Sequence, residues 1–273
     1  MSTPELDLVL PARPENVIVV RQAVAGLGEA LGMPSQRVDD LKAVVTEACN
    51  NVVIHAYQGD PGPLEVSAVS GEEEVEVMIS DRGRGFLPRA DTEGEPSLGI
   101  GLPLIASLSD SFEIRGGAGE GTRTIVRFAY QPAEDHDNGH PEVPSESVEQ
   151  ALAMAIVPGD VGRGILARVI GALAARADFP VDRLADTVLL GDAVSGHTAD
   201  DFLEGRLGIG INDGDGTLDV RVGPLSEGGG ERLLAQMEIP GHGSLRNLAR
   251  SMEVKREDTG AGVQEYLHFE VAP

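Results

Sequence analysis

The stretch RVDDLKAVVTEACNNVVIHAY, Arg37–Tyr57, decides the fold. Val38, Leu41, Val45, Ala48, Val52 and His55 recur every three or four residues, the spacing of one helical stripe turned toward a core. Glu47 and Asn51 lie one turn apart and project from a single face of that helix. An acid and an amide so placed can position a hydroxyl nucleophile and a hard cation, which prefers oxygen ligands. Read alone, they are an ordinary solvated pair.

Working outward, Pro14–Leu31 carries a second helical stripe at Val17, Val20, Val24, Leu27 and Leu31. Leu64–Val69 and Val75–Ser80 alternate apolar and polar residues, which predicts antiparallel strands around a turn at Gly71. A loop rich in Gly and charge covers Asp81–Ser97. Gly101–Ser109 is predicted helical, and Ser111–Gly116 with Thr122–Tyr130 forms a final hairpin through Gly117–Gly121. Helices in one layer on one antiparallel or mixed sheet give a two-layer α/β sandwich.

The 273 residues can bury two modest cores, and a hydrophobic fraction of 41% is too high for a wholly disordered chain. Asp and Glu number 45 against 21 Lys and Arg, a formal charge of −24. That balance opposes an electrostatic grip on nucleic acid or an anionic membrane and suits a basic protein partner. The single cysteine, Cys49, excludes an intrachain disulfide and fits a reducing, cytoplasmic compartment. Cys49 faces a different side of the helix from Glu47 and is expected to be a small core residue. Pro, Glu and Asp near the N-terminus do not fit a signal peptide, and no apolar run is long enough to span a bilayer. The only lysines, Lys42 and Lys255, follow no glycine-rich loop, so a Walker-type phosphate loop is absent.

Gln131–Gln150, QPAEDHDNGHPEVPSESVEQ, has no helical or strand period and reads as a solvated acidic linker between residues 1–130 and 151–273. The two portions share a plan. At an offset of 143, Val38-Asp39-Asp40-Leu41 falls on Val181-Asp182-Arg183-Leu184, and Leu64, Val66, Val77 and Ile79 fall on Leu207, Ile209, Val220 and Val222. Shared apolar phase over such a distance is the mark of an internal duplication, since a one-residue slip would invert every strand side chain.

Three further elements complete the pattern begun by Glu47 and Asn51. In ISDRGRGF, Asp81 ends a strand while Gly83 and Gly85 free the backbone for close approach to a ligand. In SLGIGLPLI, Gly99 and Gly101 open a helix whose free N–H groups can hold phosphate. In GEGTRTIVRF, Thr122 begins a strand after Gly121. Each is weak by itself. Glu-x-x-x-Asn, Asp-x-Gly-x-Gly, Gly-x-Gly and Gly-Thr, in that order, together resemble the GHKL ATPase superfamily of gyrase, Hsp90, histidine kinases and MutL. Over roughly residues 10–130 the chain is most similar to the anti-sigma-factor serine/threonine kinases of the RsbW type, through PARPENVIVVRQAVAGLGEALGMPSQRVDDLKAVVTEACNNVVIHAY.

The resemblance implies the Bergerat, histidine-kinase-like ATPase fold, here duplicated, with Mg2+ and ATP bound under a loop. It implies Glu47 as general base toward the target serine and Asn51 as magnesium ligand. Asp81 would accept from the adenine amino group, and Thr122 would help orient the base. Gly83, Gly85, Gly99 and Gly101 take the place of the backbone-approach glycines, and Arg21 that of an antagonist-contacting arginine. His55 and Tyr57 are expected to pack and cap. The partners implied are a sigma factor and an anti-anti-sigma antagonist, with no direct nucleic acid and no membrane.

Two departures matter. Ser97 stands where the family kinases commonly have a basic residue before the lid glycines, and RADTEGEPS ahead of it carries Asp91, Glu93 and Glu95 against Arg89 alone. Arg82, Arg84 and Arg123 are the cations left to compensate. At the 143 offset, Glu47, Asn51 and Asp81 fall on Leu190, Val194 and Pro224, so the second copy is expected to lack a productive nucleotide site, although Gly241 and Gly243 persist near its phosphate-loop position. That copy would replace a second subunit, giving a monomer that acts as an intrachain pseudo-dimer. A non-catalytic nucleotide-dependent binding switch is the alternative. A sensor histidine kinase core fits poorly, because no helix with a phospho-accepting His precedes the site.

Overall fold

The computed structural model describes residues 5–57, 59, 61–85, 101–117, 119–130, 151–195, 202–203, 205–214, 216–239, 243–259 and 262–273. In chain order its first half runs β1 (Leu6–Pro11), α1 (Pro14–Ala30), α2 (Ser35–His55), β2 (Pro63–Ser70), β3 (Glu74–Asp81), α3 (Gly101–Leu108), β4 (Ser111–Gly116) and β5 (Thr122–Ala129). The second half begins β6 (Ala151–Ile156), α4 (Asp160–Arg176), α5 (Val181–Ser195), β7 (Leu207–Gly214) and β8 (Thr217–Leu225). It continues with α6 (Gly229–Gln236), the two-residue strands β9 (Glu238–Ile239) and β10 (Gly243–Ser244), a 3-10 turn at Leu245–Leu248, β11 (Ser251–Thr259) and β12 (Gly262–Val271).

Ten strands form one sheet in the order β11-β12-β8-β7-β6-β1-β2-β3-β5-β4. Every pairing in it is antiparallel, so of the two arrangements expected the mixed sheet is ruled out. The order reads alike outward from the centre, where β1 pairs with β6 from Leu6↔Ile156 to Val9↔Ala153. Residues matched by the 143 offset hold like positions: Leu64, Val66, Val77 and Ile79 are buried, as are Leu207, Ile209, Val220 and Val222.

Strand β1 is the element the sequence reading passed over. Leu6, Leu8 and Leu10 alternate into the core and are at most 2% exposed. Each such burial contributes about 1.5–3 kcal/mol, enough to fix this short strand between β2 and β6. On the helical layer the seam continues as α1 against α4. Gly26 makes that approach possible, since a Cβ there would lie 2.5 Å from the Gly164 carbonyl oxygen. Glu29 and Arg168 form an ion pair across the same seam. Arg206, 5% exposed, bonds Asp7 at 2.8 Å and the Ala155 carbonyl at 2.7 Å, tying β1 to β6 from one side chain. The buried apolar residues of both halves form one continuous core.

Local chemistry sets the helix limits. Pro14 opens α1, where its missing N–H costs nothing. Gly32 (φ 70°) ends it: its N–H donates to the Glu29 carbonyl and that of Met33 to the Gly28 carbonyl, the paired bonds of a Schellman turn. None of the described helices is long and apolar enough to cross a membrane.

Candidate functional site

Helix α2 presents Val44, Val45, Ala48, Cys49 and Val52 to the core, which leaves Glu47 and Asn51 half-buried on the adjoining face. Cys49 is fully buried, as expected, and burial pushes its thiol up to about 12, so it stays protonated and unreactive.

Helix α3 begins at Gly101 directly opposite that pair. A Cβ on Gly101 would lie 3.0 Å from Glu47 Oε2 and 3.9 Å from both Asn51 Oδ1 and Nδ2. The start of α3 therefore lies against an acid and an amide across a gap too narrow for a methyl group unless Glu47 moves aside. Among the described residues neither Glu47 nor Asn51 has a hydrogen-bond or ion-pair partner. A positive helix end, a carboxylate and an amide oxygen suit a phosphate and a hard cation. Mg2+ fits this donor set, since it takes one or two protein oxygens and completes its shell with water and phosphate.

Asp81 closes β3 at 6% exposure. Its Oδ1 accepts from the Gly83 N–H at 2.8 Å, an Asx-type turn that leaves the second oxygen without a hydrogen bond among the described residues. Thr122 begins β5 half-buried, one rung beyond the Ser80↔Arg123 pair and so beside Asp81. Gly121 (φ 71°) permits that closeness, because a Cβ there would meet the Asp81 carbonyl oxygen at 2.1 Å.

The loop after Asp81 is clamped to the end of α2. Gly83 is so close that a Cβ would lie 2.2 Å from the Ala56 carbonyl oxygen. Arg84 donates its N–H to that carbonyl at 3.0 Å and its Nε–H to the His55 carbonyl at 2.8 Å. The Tyr57 hydroxyl donates to the Pro63 carbonyl at 2.6 Å and accepts from the Arg82 N–H at 2.9 Å. Burial raises the Tyr57 phenol and the charges of Asp81 and Glu65 push it the same way, so it remains a hydroxyl. Gly85 (φ 74°) has its α-carbon packed on the Gly117 carbonyl. These contacts lock the two halves of the site, Glu47–Asn51 on α2 and Asp81 on β3, to one another.

The structure thus brings together Glu47, Asn51, Gly101, Asp81, Gly83, Gly85 and Thr122. Gly99, Ser97 and the acidic loop at Asp91, Glu93 and Glu95 lie outside the described residues. Arg21 is exposed on α1, away from these contacts. Tyr57 packs against the core and holds the loop through its hydroxyl, whereas His55 is exposed and takes part only through its main-chain carbonyl, so its expected packing role is not met. Of the compensating cations, Arg82 pairs with Glu65 and Arg84 with the α2 carbonyls, while Arg123 is exposed on β5. What sequence reasoning missed was the Tyr57–Arg84 clamp; the tyrosine closing the His-Ala-Tyr run and the arginine between two glycines were its visible signs.

This assembly agrees with the comparison to known proteins. The family profile of the histidine kinase-like ATPase domain matches residues 10–129, from the last two residues of β1 to the end of β5. Serine-protein kinase RsbW of a Bacillus cereus strain is 30% identical over 150 residues, 50% of this chain and 92% of that protein. The chain belongs to the histidine kinase-like ATPase family. The serine-protein kinase RsbW of Bacillus pumilus (strain SAFR-032) is 29% identical over 147 residues, 48% of this chain and 90% of its own length. Among solved structures, the histidine kinase domain from the Erythrobacter litoralis EL346 blue-light activated histidine kinase is 24% identical over 35% of this chain and 46% of that one, with a TM-score of 0.30, too loose to carry argument. The histidine kinase-like ATPase match ends at residue 129, and these RsbW relatives account for about half of this chain.

In the second half, Leu190 and Val194 are fully buried on α5 at the places matched to Glu47 and Asn51, and Pro224 lies in β8 at the place matched to Asp81. Gly243 belongs to β10, paired with β9, and Gly241 lies outside the described residues.

Proposed function

We propose that this protein is a cytoplasmic ATP-binding anti-sigma regulatory factor that sequesters a sigma factor and phosphorylates a serine of an anti-anti-sigma antagonist. The observation that carries the reading is the close approach of Gly101, at the start of α3, to the Glu47–Asn51 pair, with a buried Asp81 held beside Thr122. Magnesium bound there would screen the phosphate charges and orient the terminal phosphoryl group. Asn51 would supply its protein oxygen, the N–H groups of α3 the phosphate contacts, and the open oxygen of Asp81 an acceptor for the adenine amino group. The base, Glu47, would take the proton of the antagonist's serine hydroxyl as that oxygen bonds to the γ-phosphorus. The bond from that phosphorus to the bridging oxygen then breaks and ADP leaves. Arg21, exposed on α1, would contact the antagonist.

Residues 1–130 would form the ATP-binding kinase-like lobe, residues 131–150 a linker, and residues 151–273 a degenerate copy lacking the nucleotide site. The β1–β6 and α1–α4 seams support a monomer in which the second lobe stands in for a second subunit. The second reading, a nucleotide-dependent switch without phosphoryl transfer, is favoured by one observation: Arg82 and Arg84, two of the cations available beside the site, are already committed to Glu65 and to the end of α2.

Incubation with γ-labelled ATP and the cognate antagonist separates the two. Transfer of label to the antagonist, lost in Glu47→Gln, supports the kinase. Antagonist or sigma-factor binding that responds to ATP and ADP without label transfer selects the switch.

A further inference from the structure

The corner of the second half that corresponds to Asp81 and Thr122 is built from other materials. The rungs Ile79↔Thr124 and Val222↔Leu267 differ by 143 in both members, which puts Glu265 at the place of Thr122 and Pro224 at that of Asp81. The register shifts between Glu265 and Leu267, so that Glu265 faces Leu225. Glu265 is fully buried. A carboxylate so buried requires compensation, and three donors supply it. Its Oε2 accepts the Gly230 N–H at 3.0 Å, the Gly228 N–H also bonds it, and its Oε1 accepts Arg256 Nε–H at 3.0 Å. Burial pushes the Glu265 pKa up, but these bonds outweigh it and hold the group below its ordinary value, ionised.

Gly228 and Gly230 are the opening residues of α6, a helix whose N-cap makes no side-chain bond of its own. Glu265 provides that cap from β12, an anion on the positive helix end. Helix α6 follows β8 in the chain as the segment after Asp81 follows β3. It is seated firmly: Leu233, Leu234 and Met237 are buried, and a Cβ on Gly230 would lie 2.5 Å from Val254 Cγ1. The corner of this half that matches Asp81 and Thr122 is thus already filled, and by the chain itself.

We propose that α6, latched by Glu265, is a built-in occupant of the second cleft, so that one chain holds one nucleotide in an asymmetric two-lobed frame. The latch stands on Glu265, Gly228, Gly230 and Arg256; only the count of one rests on the first cleft being a nucleotide site. Loss of site residues alone would leave an empty cleft that holds a nucleotide poorly. A latched helix adds that the corner matched to Asp81 and Thr122 is filled.

Hydrogen exchange on the full chain, read with native mass spectrometry, tests both parts. In the wild type one Mg·ADP binds per chain, and the amides of Gly230–Met237 are protected to the same degree with and without it. In Glu265→Gln those amides exchange at least about tenfold faster while α4 and α5 keep their protection, as expected when a charge-assisted cap is lost. Gly230→Ala, which drives a methyl into Val254, does the same and serves if the first variant does not fold. Two nucleotides on the wild-type chain, or α6 amides in both variants exchanging at the wild-type rate, would overturn the proposal. If no nucleotide binds at all, the reading of the first cleft fails, and the exchange of α6 still decides the latch.

Discussion

Gly101→Ala separates the ligand gap from the fold. Gly101 is the first residue of α3, and its φ lies outside the left-handed region, so alanine suits the backbone there. Replacing a helical glycine with alanine typically stabilises by about 0.5–1 kcal/mol. The added methyl, however, would sit 3.0 Å from Glu47 Oε2 and 3.9 Å from the Asn51 amide. The carboxylate end is flexible and can move aside by a few tenths of an ångström, so the apo protein tolerates the change. A phosphate bridging the α3 N–H groups and a cation on Asn51 has no such freedom. Losing one charge-assisted hydrogen bond of that kind costs about 1.5–3 kcal/mol, or about 10- to 150-fold in affinity at 1.4 kcal/mol per tenfold. Calorimetric titration with Mg·ADP, beside thermal unfolding without nucleotide, reads both quantities. The expected result is unfolding at or above the wild-type temperature with affinity reduced by that factor. Wild-type affinity would refute the placement of the phosphates, and a joint loss of stability and binding would refute the idea that the methyl acts only by filling the gap.

Three other outcomes follow from the same contacts. Tyr57→Phe keeps the ring but removes the bonds to Pro63 and Arg82, so stability should fall by about 1–2 kcal/mol, a Tm drop of roughly 2–4 °C per kcal/mol, and nucleotide affinity should fall with it; a fallen Tm with unchanged affinity would reduce Tyr57 to a packing role. Gly26→Leu places side-chain atoms against the Gly164 backbone and should cost about 1–3 kcal/mol by overpacking the α1–α4 seam, visible as a Tm drop of roughly 2–4 °C per kcal/mol; an unaltered melting curve would show the seam to be slack. Burial raises the Glu5 carboxyl above 4.5 despite its bonds from Ser70 and the charge of Arg206. The folded state therefore holds its proton longer than the unfolded state, and stability contributed by this group is full below about pH 4.5 and is lost as pH rises through the raised value. Glu5→Gln should remove that slope in denaturation curves taken across the interval; an unchanged slope would count against it.

Much of this fold could be read from periodicity. The stripes of α1 and α2, the two alternating strands after them and the final hairpin end within a residue or two of the expected limits, because each element has one face against a core and period alone reveals that face. Strand β1 escaped although Leu6, Leu8 and Leu10 alternate plainly, since six residues before a helix carry no local sign of being paired on both sides. The β1–β6 and α1–α4 seams are contacts between distant segments, and Gly26 shows its reason only once Gly164 is beside it. In the site, spacing identified Glu47, Asn51, Asp81 and the glycines. The Tyr57–Arg84 clamp could not be found that way, because it depends on main-chain carbonyls that every residue possesses. Helix α6 and the Glu265 latch were hidden for a related reason: a glutamate in a charged strand looks solvated until its burial is known.

The central claim is that the front lobe holds an adenine nucleotide through Asp81 and a magnesium-bound phosphate through Asn51 and α3. Calorimetric titration of the full chain with Mg·ADP and Mg·GDP in parallel tests it most directly. The account predicts saturable heat with ADP, none with GDP, whose ring presents an oxygen where Asp81 needs a donor, and loss of the ADP signal in Asp81→Asn. Silence with ADP, or equal binding of both nucleotides, would contradict it.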